Sequence, residues 1–113
     1  MDHQHIQDEL REPYDELRHA IPEVITAHAQ LSRAAMAEGS LDQKTKELIA
    51  LAIAVTRECD GCIAAHAKGA VRRGATRSEV AEMIGVAISM NGGPGTVWGP
   101  RALEAFDQFS ASS

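Results

Sequence analysis

Aromatic side chains are scarce, at 4% of the chain: one Trp, one Tyr and two Phe. Rings usually dominate a core, so aliphatic side chains and alanine must fill this one, and alanine lets helices approach closely. No stretch alternates apolar and polar residues with strand period, which disfavours a sheet. The longest apolar run, Leu48 to Val55, falls far short of the roughly 18 residues that span a bilayer. No excess of positive charge is present: eleven Lys+Arg stand against sixteen Asp+Glu, a formal charge of -5. That balance argues against nucleic acid or an anionic membrane as partner. The one local basic group, Arg72, Arg73 and Arg77, is expected to offset a helix C-terminus. Met1 to Asp15 carries no apolar core of a secretory signal, so a cytoplasmic protein is expected. Cysteine is limited to two residues. In a reducing compartment such a pair is not expected to be a permanent staple; it reads as a metal pair or a reversible redox pair.

What remains is a helical pattern. The 113 residues suit one domain over 1–113, an all-α compact bundle of about five to six helices. An acidic arm is expected to end near Pro13, with a first helix over Tyr14–Ala20. Pro22 opens a second, with Val24, Ala27, His28, Leu31 and Ala35 at helical spacing and Gly39 as its stop. Ser40 and Gln43 suggest a capping box for a third helix running to about Arg57. A fourth begins beside Cys59 and ends at Gly74. Gly69, inside it, costs about 1 kcal/mol against alanine, which a close helix contact would explain. Thr76 and Glu79 form a second capping box, ahead of a face of Val80, Met83, Ile84, Ala87 and Ile88. Gly92 to Gly95 breaks this helix, and a last one covers about Val97–Phe109. The helix apolar all round at Leu48 to Val55 and the run Val86 to Met90 exceed what one small domain covers, so a homo-oligomer is expected.

Chemistry concentrates in Cys59-Asp60-Gly61-Cys62-Ile63-Ala64-Ala65-His66. Cysteines three apart at a helix start lie about one turn apart, within reach of a disulfide. The helix N-terminus favours the thiolate, which is the nucleophile. His66 follows Cys62 by four residues, on the same face, where an imidazole can take or hold a thiol proton. Glu47 shares a face with Leu51 and Ala54. A carboxylate turned inward is costly unless paired, and a histidine is its natural partner. No metal or cofactor is assigned to the site. Gly92 to Gly95 lacks the strand and G-x-G-x-x-G context of a phosphate loop. His28 is expected to pack on a buried face, and His3, His5 and His19 to be solvated. Met83, Met90 and Trp98 are expected in the core or at a subunit interface.

The spacing of Glu47, Cys59, Cys62 and His66 resembles the signature of alkyl hydroperoxidase D-like proteins of the carboxymuconolactone decarboxylase superfamily, over roughly residues 40–90. The resemblance implies an all-helical fold, trimers or hexamers, and a thiol-dependent peroxidase. It implies that Cys62 attacks the peroxide, that Cys59 resolves the sulfenic acid to a disulfide, and that Glu47 and His66 relay the proton. A peroxide is then the substrate, and a thiol or protein reductant restores the pair. One departure stands out: the best-known members carry a second histidine immediately before the second cysteine, where this chain has Gly61. The alternative is non-catalytic, a zinc-stabilised helical scaffold with Cys59, Cys62, His66 and Glu47 as the four tetrahedral ligands.

Overall fold

The computed structural model describes Met1–Ser113 as six helices and no strand: α1 (His3–Ala20), α2 (Pro22–Met36), α3 (Gln43–Thr56), α4 (Asp60–Arg72), α5 (Arg77–Asn91) and α6 (Gly95–Ala111). None is long and apolar enough to cross a membrane. The core lies among α3 to α6. Leu51, Ala54 and Val55 meet Ile63, Ala64, Ala67 and Ala70, and behind them Val80, Ile84 and Ala87 pack with Ala102, Ala105, Phe106 and Phe109. Alanine is the commonest residue in that cluster, as the shortage of aromatics requires. Helices approach closely where the side chain is absent altogether: a Cβ on Gly99 would lie 2.6 Å from Cγ2 of Ile84.

Local signals set the helix ends. Asp42, not Ser40, caps α3: its carboxylate accepts the Thr45 N–H at 2.8 Å. Glu79 and Thr76 form the expected reciprocal capping box on α5. At the end of α3 the Glu58 N–H donates to the Val55 carbonyl and the Cys59 N–H to the Ala54 carbonyl. This paired closure needs a left-handed residue, supplied by Glu58 at φ 56°. The same arrangement closes α4, with Gly74 at φ 80° and bonds from Gly74 to Val71 and Ala75 to Ala70.

The first helix is longer than its sequence suggests. It starts at His3, capped by Asp2 through the His5 N–H, and runs through Pro13. Proline removes one backbone bond, and this stretch is exposed, so the orphaned carbonyl is open to solvent. α2 stops at Met36, ahead of Gly39. The ammonium of Lys46 takes over its end carbonyls, binding those of Ala35 at 2.9 Å and Ala37 at 2.5 Å. α6 starts two residues earlier than expected and ends two later.

Several side chains also sit elsewhere than their spacing implied. His3 is buried rather than solvated. Its Nε2 lies 2.8 Å from Glu104 and its backbone N–H donates to Gln108, pinning the N-terminus to α6. His28 is exposed, because α2 buries no residue at all. Arg77 lies at the start of α5 and makes a two-pronged pair with Asp107 at 3.0 and 3.2 Å. Met83 and Trp98 pack half-buried against the core, one of the two places expected for them, and Met90 is 83% exposed, outside the core.

Two outcomes follow for stability. Glu58→Gly relieves a left-handed residue whose Cβ costs about 1–2 kcal/mol, less the entropy glycine loses on folding. The variant is therefore expected to raise the urea midpoint; a clear fall would contradict this reading of the turn. Backbone N–H groups at helix starts hold the carboxyls of Asp42 and Glu79 below their ordinary range, and the His3 contact does so for Glu104. Stability from such lowered groups is complete above the ordinary carboxylate range and drains away as pH falls through their lowered values. Urea midpoints should drop as pH falls below about 4.

Candidate active site

The site is built where α3 hands the chain to α4. Cys59 ends the closing turn of α3 and is also the N-cap of α4: its Sγ accepts the Cys62 N–H at 3.2 Å. One residue thus terminates one helix and begins the next, which leaves its sulfur little freedom. Cys59 and Cys62 are joined as a disulfide, with Cα atoms 5.2 Å apart. Both sulfurs lie in the first turn of α4, where unpaired N–H groups favour a thiolate once the bond is reduced. Cys62 is exposed and Cys59 half-buried, so an incoming molecule reaches Cys62 more readily.

One turn further along α4, His66 meets Glu47 of α3. Nδ1 lies 2.9 Å from Oε2 of the carboxylate. The Glu47 side chain is only 16% exposed and that of His66 34%. A carboxylate is acceptor-only, so Nδ1 must carry the shared proton, which leaves Nε2 of a neutral imidazole free to accept one. The inward turn expected of Glu47 is observed, as is its pairing with His66.

Cys59, Cys62 and His66 together line two clefts. The larger, about 790 Å³, lies beneath α1 and α2 and takes in Leu10, Tyr14 and His28. The smaller, about 470 Å³, runs along α3 past Ala50, Ile53 and Arg57. Gly61 faces α1: a Cβ there would lie 3.0 Å from Cδ1 of Leu10. A larger side chain at this position would push aside the tip of the half-exposed Leu10 side chain. This wall is not visible in the sequence, where an acidic arm is expected up to Pro13 and a helix only from Tyr14, and His28 lies at the cleft rather than on the buried face expected for it.

No three His, Cys, Asp or Glu side chains are grouped as a metal ion requires. The zinc arrangement of Cys59, Cys62, His66 and Glu47 is therefore not formed: the sulfurs bond each other and the carboxylate is occupied by the imidazole.

Comparison with known proteins agrees with this architecture. An uncharacterized protein of Cupriavidus necator is 39% identical over 103 residues, covering 91% of each chain. "Uncharacterized protein 4 in cox locus" of Paracoccus denitrificans is 40% identical over 86 residues, covering 76% of this chain and 78% of its own. The crystal structure of an apo carboxymuconolactone decarboxylase family protein from Legionella pneumophila superposes with a TM-score of 0.92 at 42% identity, covering 96% of both chains. The sequence model of the carboxymuconolactone decarboxylase family matches residues 22–107, and with that span and those relatives the chain belongs to the carboxymuconolactone decarboxylase family.

Proposed function

We propose that this protein is a thiol-dependent peroxidase of the alkyl hydroperoxide reductase type, working through Cys59, Cys62, His66 and Glu47. The observation that carries the reading is the pairing of a bondable Cys59–Cys62 couple with an oriented Glu47–His66 pair on the same two helices.

The cycle starts from the dithiol. His66 Nε2 takes the proton of Cys62, and the carboxylate of Glu47 steadies the imidazolium through Nδ1. The Cys62 thiolate attacks the outer oxygen of a peroxide ROOH. An S–O bond forms, the O–O bond breaks, and the alkoxide takes the proton from His66 to leave as ROH. Cys62 is now a sulfenic acid. The Cys59 sulfur attacks it, forming the S–S bond and releasing water. A thiol or protein reductant then returns two electrons and two protons to the disulfide. Exposure supports this division of labour, since the more open sulfur is the one that must meet the peroxide.

The subunit is read as part of a homo-oligomer, a trimer or hexamer. α2 buries nothing within the chain, and Ile49, Ile53, Val86 and Met90 stand exposed on α3 and α5. Surfaces of this kind in a stable protein are covered by a partner copy.

Three outcomes check the proposal. Reduced protein should consume an organic hydroperoxide while a dithiol is oxidised, and Cys62→Ser should abolish this; persistent turnover in that variant rules the mechanism out. Glu47→Gln keeps the size of the side chain but loses the ionised acceptor, so peroxide oxidation should slow by about 10²-fold or more with the helical fold intact. Light scattering at micromolar concentration should give a mass several times that of the subunit; a monomer contradicts the oligomeric reading.

A further inference from the structure

The close seat of Glu47 against α4 points to a residue outside the reacting groups. Gly69 lies one turn beyond His66, and it leaves a gap that the Glu47 carboxyl fills. A Cβ added to Gly69 would fall 2.5 Å from Cδ of Glu47 and 2.7 Å from its Oε1. Real non-bonded carbon contacts are far longer. No other side chain or neighbouring backbone lies as near, since the three closest atoms all belong to that carboxyl group.

We infer that Gly69 is the positioning residue of the relay: its missing side chain is the space in which the carboxylate of Glu47 sits to hold His66. The inference rests on the relay proposed above. An interior glycine weakens a helix relative to alanine, so its place in α4 calls for a compensating gain, and the carboxyl seat supplies one. The effect of filling the gap follows from what must move. The backbones of α3 and α4 are fixed by the shared turn at Glu58 and Cys59 and by the packing of Leu51, Ala54, Ile63 and Ala67. The carboxyl is the far end of a flexible side chain. Alanine at position 69 therefore evicts the carboxylate rather than prising the helices apart. His66 keeps its place but loses its 2.9 Å partner.

The test is a double-mutant cycle on reduced protein with two readouts. The first is the imidazole ¹⁵N signal of His66, recorded without peroxide at a pH where the ring is neutral. In the parent protein Nδ1 should be protonated and Nε2 bare; in Gly69→Ala the ring should shift toward the Nε2–H form. The second is the rate of oxidation by an organic hydroperoxide. Gly69→Ala should slow it by about tenfold or more, as expected when a proton-transfer group loses its orientation. In a Glu47→Ala background there is no carboxyl to evict, so adding Gly69→Ala should change the rate by less than about twofold, the strong coupling expected of two positions in direct contact. Unaltered tautomer and rate in Gly69→Ala overturn the inference, as does an equal slowing in both backgrounds. If Gly69→Ala fails to fold while the double variant folds, the carboxyl is confirmed as what fills the gap; failure of both assigns Gly69 to helix packing and overturns it. A parent protein inert to peroxide defeats the proposed function alone, because the imidazole signal is read without it.

Discussion

A carboxylate held between two helices needs a partner, because a charged group taken from water without one is costly. In this protein Glu47 on α3 is largely buried, and its partner is the Nδ1–H of His66 on α4. That single hydrogen bond fixes which imidazole nitrogen carries a proton and which is free. It also depends on the axial register of α3 against α4, since sliding either by a residue would carry the carboxyl past the ring. The register is set by the closing turn of α3, where two backbone bonds converge on Glu58 and Cys59.

Cys59 joins the chemistry to this framework. As the last residue of the turn and the cap of α4 it has an anchored backbone, and its sulfur receives an N–H from Cys62. The partner sulfur is one turn along and exposed. The result is an asymmetric pair bordering the same two clefts: one residue capping the helix and half-buried, the other exposed. Under the proposed mechanism this asymmetry suits an attacking thiol that must meet a variable substrate and a resolving thiol that must be found in one place.

Features governed by near neighbours were legible in the sequence. The cap by Thr76 and Glu79, the stop at Gly74 and the face from Val80 to Ile88 each depend on residues within one or two turns. The inward turn of Glu47 was legible because it shares a face with Leu51 and Ala54. Where several residues compete for one role the sequence was ambiguous: Ser40 and Asp42 are both good caps, and only the chain path into α3 selects Asp42. Features set by distant partners were not legible. His3 is buried because Glu104 and Gln108 of α6 meet it from the far end of the chain. Gly69 showed in the sequence only as a cost, and the carboxyl that fills its gap comes from another helix. His28 misled because its helix has a good apolar stripe yet packs only lightly on α1 and α3.

The family match covers α3 and α4, which carry Glu47, Cys59, Cys62 and His66, and the structure of the Legionella pneumophila relative shows that the fold extends across nearly the whole chain. The proposed chemistry requires Cys59 and Cys62 to act as one two-electron couple. Intact mass with a thiol count, taken on fully reduced protein before and after one equivalent of organic hydroperoxide, tests it most directly. The expected result is loss of two hydrogens and of both thiols, confined to a peptide carrying Cys59 and Cys62, with one equivalent of alcohol released. Two intact thiols after complete exposure, or oxygen retained on one sulfur with the other still free, would contradict it.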